Sequence, residues 1–438
     1  MRNTRPAIML FNRDLRLHDN PALAAALDRA GSVVPLFVLD DRLLTGARAA
    51  PNRTRFLLEA LDDLRGSLRQ RGGDLVVRRG DPAGEVIGLA RQTGAEAVYC
   101  ADDVSGYAAG RRRRLAEACR EARLELTVCP GVTVVPPGVL RPSGGGDHYR
   151  VFTPYLRAWE DAPRRAMTGP PDGVPVPAAV EPGVLPESDG RPGTLAGGES
   201  AGRRRLAAWL ASGADGADGY AEHRDDLAAA QTSMLSPYLH FGCVSPLALA
   251  GAAGPGPFRR QLAWRDFFHQ LTAAFPAITA DDYRPGRRQW RRDDQALDAW
   301  RHGQTGVPIV DAGLRQLLGE GWMHNRARMI TASFLCGRLG LDWRPGAVHF
   351  MHWLTDGDIA CNYGNWQWVA GTGTDTRPRR VLSPLRQARR FDPRGDYVRR
   401  YVPELAGLDG AAVHEPWRLP GGERRRLGYP APIVDGFA

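Results

Sequence analysis

The chain has 438 residues, of which 43% are hydrophobic, 8% aromatic and 24% charged, a composition that excludes disordered, fibrous and membrane-embedded classes. Its length exceeds the ~250 to 300 residues at which single cores stop growing, so two domains are expected. All 58 basic residues are arginine and 49 are acidic, giving a net charge of +9; that excess favours a polyanionic partner, and arginine suits bidentate phosphate contacts and stacking.

Cys100, Cys119, Cys129, Cys243, Cys336 and Cys361 show no CxxC spacing, so neither a zinc site nor a disulfide framework is indicated. The first residues carry charge without a signal-peptide core, and no ~20-residue uncharged apolar run occurs. A cytoplasmic protein without a membrane partner is expected.

From Ala7 to about Pro130, apolar β-rich runs at Ala7–Phe11, Val33–Leu39, Leu75–Val77, Ala97–Cys100 and Leu126–Cys129 alternate with helix-like stretches such as Arg53–Arg71 and Arg111–Arg123. This βαβ pattern predicts a doubly wound parallel sheet of Rossmann-like type. No GxGxxG follows the first run, which argues against a dehydrogenase dinucleotide site. The polar loop Phe11–Pro21 instead lies at the carboxyl end of a strand, where such sheets bind ligands.

Residues Thr168–Glu199 are rich in proline and glycine and read as a connection. Beyond Ala201 helical periodicity dominates, through Leu206–Leu210, Phe258–Phe275, Val310–Gly319, Arg326–Arg338 and Val348–Leu354. Of eleven tryptophans only Trp159 precedes residue 200. The expected division is an α/β domain at 1–130, a linker at 131–200 and an all-α domain at 201–438.

Five segments carry chemistry. Tyr220 and Arg224 precede Thr232-Ser233-Met234-Leu235-Ser236, whose hydroxyls and backbone N–H groups ahead of a helix suit a phosphate or a simple N-cap. Gln261, Trp264 and Arg265 lie at i, i+3 and i+4 on one helical face, a surface for base stacking and phosphate contact, or else a packed indole beside a solvated arginine. Trp322–Met329 concentrates His324, Asn325, Arg326, Arg328 and Met329. Asp356 to Trp368 crowds two carboxylates, an amide and two indoles together, with Trp366 and Trp368 projecting about 200° apart on a helix. Arg377–Arg400 is an arginine-rich stretch that suits a solvated face or a phosphate rim.

Together these segments resemble the flavin-binding heart of the photolyase and cryptochrome family, most closely the class I cyclobutane pyrimidine dimer (CPD) photolyases, over Phe11 to about Asp435. The resemblance implies an all-α FAD-binding domain in which Tyr220, Thr232, Ser233, Met234, Leu235, Ser236 and Phe258 hold FAD, with the diphosphate at the Thr-Ser stretch. Asn325, Arg328, Asp356, Gly357, Asp358 and Asn362 join them, Arg328 pairing with Asp356 and Asn362 facing flavin N5. It further implies a tryptophan electron chain of Trp366, Trp343 and Trp290. UV-damaged DNA would meet Arg224, Gln261, Trp264, Arg265, Arg326, Met329, Trp368, Arg380 and Gln387.

The implied activity is light-dependent splitting of CPDs by electron transfer from photoexcited, reduced anionic FAD to a flipped-out dimer. Gln261 stands where dimer photolyases usually carry glutamate and where (6-4) photolyases and animal cryptochromes carry glutamine. His324-Asn325-Arg326, in contrast, lacks the (6-4) histidine pair, and Asn362 differs from the aspartate of plant cryptochromes. A (6-4) photolyase and a cryptochrome-type blue-light receptor remain as alternatives, the latter commonly having a C-terminal extension where this chain soon stops. Tyr99–Ser105 aligns with the antenna-pigment stretch but lacks the Asn and Glu of folate binders, so 8-hydroxy-5-deazaflavin is expected first, methenyltetrahydrofolate second and an empty site third. The protein is expected to be a monomer.

Overall fold

The computed structural model describes residues 3–45, 49–177, 180–187, 195–229, 231–286, 289–375 and 381–436. The chain groups into two compact units, one of residues 1–212 and 233–277 and one of residues 213–232 and 278–438.

In the first unit β1 (Asn3–Leu10), β2 (Ala30–Leu39), β3 (Val76–Arg79), β4 (Ala97–Ala101) and β5 (Glu125–Cys129) form one sheet in the order β3-β2-β1-β4-β5. Every pairing is parallel. The apolar runs became strands because both faces are covered: Ile8, Leu10, Val34, Leu36 and Val98 are buried in one core, and Ala7, Met9, Val33 and Tyr99 are buried on the opposite face. The intervening helices start on sequence signals. Asn20 caps Pro21–Arg29, and Asp81 caps Pro82–Thr93, which ends at Gly94 with φ +67°. The expected helices at 53–71 and 111–123 are Pro51–Arg69 and Gly106–Glu121, the second starting early because Ser105 accepts from the Ala108 N–H.

Strand order reverses between β1 and β4, and a crevice opens at their carboxyl ends, lined by Leu10, Asn12, Cys100, Asp102, Asp103 and Arg111. The polar loop after β1 partly serves the fold. Arg16 is buried and donates to the carbonyls of Asp19, Gly131 and Gly242.

The proline-rich stretch runs along this unit, its carbonyls accepting from the sheet: Val33 N–H to Pro175 O at 2.8 Å and Val77 N–H to Pro182 O at 2.7 Å. Proline lacks a donor but keeps its acceptor, which suits such an edge. Asp266, on helix Pro257–Ala274, fastens the segment after β5. Its Oδ2 accepts from Val134 N, Val135 N and Trp159 Nε1 at 2.9, 3.0 and 2.9 Å, while burial pushes the carboxyl up to about 6.

The second unit is helical, built from Asp294–Arg301, Pro308–Glu320, Asn325–Ser333, Trp343–Trp353, Ile359–Ala370, Pro384–Phe391 and Asp396–Tyr401. Trp300, Trp343, Phe334, Phe350 and Tyr397 fill its centre. Helix Asn325–Ser333 runs into a π-helical turn at Phe334–Arg338, closed by Leu339 N–H to Phe334 O at 3.0 Å. A buried network of Tyr397, Gln316, Tyr401 and Glu320 supports the approach to that helix, with Gln316 Oε1 accepting from the His324 N–H. Among the described residues no helix is long and apolar enough to cross a membrane.

Candidate functional site

In the second unit Asn325, Arg326, Arg328, Met329 and Asp356 come together at helix Asn325–Ser333. The helix begins at Asn325 because the Nδ1 of His324 accepts from the Arg326 N–H at 3.1 Å. That role needs a neutral imidazole, and burial holds it neutral by lowering its pKa to about 4. One turn on, Arg328 donates from Nε to Met323 O and from Nη2 to Asp356 Oδ2, both at 2.8 Å. The Asp356 side chain is 3% exposed, and its Oδ1 is buried with no partner among the described residues. A buried carboxylate oxygen left open is costly unless something donates to it.

Asp358 caps helix Ile359–Ala370 by accepting from the Cys361 N–H, and Asn362 Nδ2 donates to Ala347 O at 3.0 Å. Gly357 lies between the two aspartates, buried. Tyr220 opens the short helix Tyr220–His223 and Arg224 closes it; burial pushes the Tyr220 phenol up to about 12. The Thr232 Oγ1 is a second buried oxygen without a partner among the described residues. Two orphaned buried oxygens, a carboxylate that accepts and a hydroxyl that can donate or accept, fit a ligand carrying both N–H or O–H groups and phosphate oxygens, as FAD does.

Asn325 Nδ2 and Arg326 Nη1 each lie 3.9 Å from the Met329 sulfur, so these three residues come together. Arg326 also pairs with Asp225 and lies over the Phe391 ring. Gln387 is half-buried on helix Pro384–Phe391, and Trp368 is half-buried on Ile359–Ala370. Arg380 lies outside the described residues.

Of the three tryptophans expected to form a chain, Trp366 and Trp343 are buried and Trp290 is half-buried. Trp366 is 2% exposed, packs on Phe350 with centroids 4.9 Å apart, and meets Trp300 at 6.0 Å. Trp343 is fully buried, donates from Nε1 to Asp282 at 2.9 Å, and carries the Arg344 guanidinium over its ring at 4.7 Å. Trp290 is half-buried, beside a bridge between Arg291 and Leu341 that brings its segment next to the one entering Trp343.

In the first unit Met234 adopts φ +48°, a left-handed conformation rare for methionine and concentrated at functional sites. The Arg205 Nε donates to Ser233 O, the Ser233 hydroxyl accepts from Leu235 N–H at 3.4 Å, and Ser236 opens a five-residue helix. Phe258 packs on Trp209 at 4.1 Å. Gln261 and Trp264 are half-buried, and one face of the Trp264 ring is stacked on Phe152 at 3.5 Å.

Arg265 departs from expectation. It is 9% exposed, and its guanidinium donates to Val132 O at 2.6 Å and Leu239 O at 3.3 Å, so it braces the fold instead of offering an exposed phosphate contact. The i, i+4 spacing placed it near the face of Gln261 but could not show that two carbonyls wait on its inner side.

Sequence reasoning missed Asp225, Asp282 and Gly346. Asp225 and Asp282 each stand beside a second aspartate, with no spacing that points to a partner. Gly346, inside a helical pattern, was a legible signal for a close packing contact.

Residues 7–178 match the DNA photolyase family, and residues 258–437 match the FAD binding domain of DNA photolyase. A parallel-sheet domain joined to a helical FAD-binding domain defines a flavoprotein. The chain is 52% identical to a deoxyribodipyrimidine photo-lyase of Streptomyces griseus, over 98% of this chain and 96% of that one. It is similar to the crystal structure of a class III photolyase from Agrobacterium tumefaciens, with TM-score 0.88 and 35% identity over 99% of this chain and 95% of that one. It is also similar to an archaeal photolyase from Sulfolobus tokodaii solved with two FAD molecules, with TM-score 0.88 and 30% identity over 98% and 96%. The chain belongs to the photolyase and cryptochrome family.

Proposed function

We propose that the protein is a deoxyribodipyrimidine photo-lyase that splits cyclobutane pyrimidine dimers in UV-damaged DNA. The observation that carries this reading is the Asn325–Met329 cluster. A (6-4) repair site needs histidines to move a proton, whereas this one presents an amide and a thioether, and the neighbouring His324 is held neutral as a helix cap. Gln261 is the one residue favouring the (6-4) alternative.

Tyr220, Thr232 and the Ser233–Ser236 turn would hold FAD together with Phe258, Asn325, Arg328, Asp356, Gly357, Asp358 and Asn362. Bound and reduced, FAD supplies the light-excited electron that opens the cyclobutane ring. Asp356 offers its open Oδ1 to a donor, and Arg328 orients that carboxylate by donating to its Oδ2. Asn362 brings a neutral amide where a carboxylate would oppose negative charge. Trp366, Trp343 and Trp290 would carry electrons inward from the surface. Arg224, Gln261, Trp264, Arg326, Met329, Trp368, Arg380 and Gln387 would receive the DNA and the flipped dimer.

The crevice at the carboxyl ends of β1 and β4 would take the antenna pigment, 8-hydroxy-5-deazaflavin before methenyltetrahydrofolate. The expected division into an antenna domain at 1–130, a linker at 131–200 and a catalytic domain at 201–438 belongs to the same reading, as does a monomeric state.

The test is blue-light repair by reduced protein of two otherwise identical oligonucleotides, one with a cis-syn thymine dimer and one with a (6-4) photoproduct. Repair of the first alone is expected. Repair of the second alone would overturn the assignment in favour of the (6-4) class.

A further inference from the structure

The Arg326 guanidinium is already engaged before any DNA arrives. Its Nε and Nη2 both donate to Asp225 Oδ1, at 3.2 and 2.6 Å, and its flat face lies 4.4 Å from the Phe391 centroid. Asp225 is a fixed partner. Asp226 beside it accepts from Ala228 and Ala229 N–H, and Leu227 N–H donates to Phe391 O at 3.1 Å, so the loop is tied to the residue whose ring Arg326 covers. Both members remain reachable from solvent, with side chains 30% and 18% exposed. A second guanidinium, that of Arg390, lies 5.0 Å from the same ring.

We infer that Asp225 is a specificity-determining residue for lesion recognition, an internal carboxylate that competes with DNA phosphates for Arg326. The inference rests on the reading of Arg326 as a DNA-backbone contact. Phosphate attraction is independent of sequence and of damage, so it favours every duplex alike. A phosphate arriving in no fixed register can use the Nε–Nη2 edge only by displacing a carboxylate already in hydrogen-bond geometry, an exchange of one anion for another that gains little. A phosphate held in register by a flipped lesion can approach the Nη1–Nη2 edge, which Asp225 leaves open and where Nη1 faces the weakly accepting Met329 sulfur at 3.9 Å. The carboxylate therefore weakens binding to intact DNA more than to damaged DNA, which is discrimination by a penalty on the wrong partner.

The experiment uses FAD-loaded protein in the dark, with a duplex containing one cis-syn thymine dimer and the same duplex undamaged, titrated at salt concentrations from about 50 to 200 mM. Asp225→Asn should tighten undamaged binding about fivefold and dimer binding less than about twofold, and steepen the undamaged salt slope by about 0.9, one added phosphate contact. Asp225→Glu should keep the parent's preference. The double variant Asp225→Asn with Arg326→Gln should bind like Arg326→Gln alone, because the carboxylate acts through that arginine; the effect of a bare charge change would persist. If Asp225→Asn loses FAD, Asp225→Ser carries the same comparison.

An unchanged damaged-to-undamaged ratio in Asp225→Asn, with Arg326→Gln weakened on both duplexes, overturns the inference and leaves the phosphate contact standing. Arg326→Gln binding both duplexes like the parent overturns the contact and the inference together. Failure of the parent itself to prefer the dimer duplex would overturn the dimer-photolyase reading beneath them.

Discussion

The indole of Trp366 rests on the bare Cα of Gly346, one turn into the helix that begins at Trp343. A Cβ there would fall well inside contact distance of the Trp366 Cη2, and 2.6 Å from Leu335 Cδ2. The adjacent Ala347 carbonyl accepts from Asn362, so indole and amide of one helix dock on consecutive residues of the other. Gly346→Ala should overpack this seam and lower unfolding free energy by about 1 to 3 kcal/mol. Denaturant unfolding measures it. In a Trp366→Phe background the same alanine should cost less, since the smaller ring vacates the notch and the two changes couple.

Trp366→Phe alone should block photoreduction of oxidised flavin while repair by pre-reduced protein persists. Steady-state bleaching of the flavin band and a repair assay read the two separately. Loss of repair in the pre-reduced variant would remove Trp366 from the electron chain and place it in the lesion chemistry.

Asp282 holds the Trp343 N–H while Arg344 stands over the same ring and also donates to Asp282 at 2.9 Å. The carboxylate favours positive charge on the indole and the guanidinium opposes it. Asp282→Asn removes the favourable member only. Photoreduction should slow about tenfold, equivalent to ~1.4 kcal/mol, with repair by pre-reduced protein unchanged. Transient absorption at the tryptophan-radical band checks it.

Arg328→Gln leaves the buried Asp356 carboxylate without its cation, a loss that costs about 3 to 5 kcal/mol for a fully buried pair and less here because Arg328 is a quarter exposed. Flavin affinity, titrated through the absorbance of bound flavin, should fall about tenfold for each ~1.4 kcal/mol lost. Asp356→Asn, which keeps an acceptor oxygen, should lose less.

His324 makes the start of helix Asn325–Ser333 sensitive to acid. Its folded pKa is lowered to about 4 from the ordinary 6.5, so below 6.5 the unfolded chain binds the extra proton and the folded one does not. Stability is therefore full above pH 6.5 and is lost progressively as pH falls toward about 4. His324→Asn, which caps without titrating, should flatten that part of the stability profile in urea titrations across the window.

Much of the fold was legible because burial on both faces writes parallel strands as continuous apolar runs: all five expected runs lie on strands, differing only at ends such as Phe11 and Leu75. The Asn325–Met329 association follows i, i+4 spacing on one helix, whereas Arg328–Asp356 was reached through family resemblance, since nothing in spacing alone joins residues 28 apart. Arg265 and Asp225 were not legible in the same way. Helical spacing assigns a residue to a face, but which carbonyl or guanidinium lies across from it is decided by distant chain, Val132 for one and Arg326 for the other.

The π-helical turn at Phe334–Arg338 holds one residue more than an α-helix would place there. One residue is about 100° of rotation, so the heading on which the backbone enters Leu341-Asp342-Trp343 depends on how many residues the turn contains. The direction of the chain from Phe334 into Trp343 is thereby kept as a count, and a single deletion in the turn would swing it by about 100°.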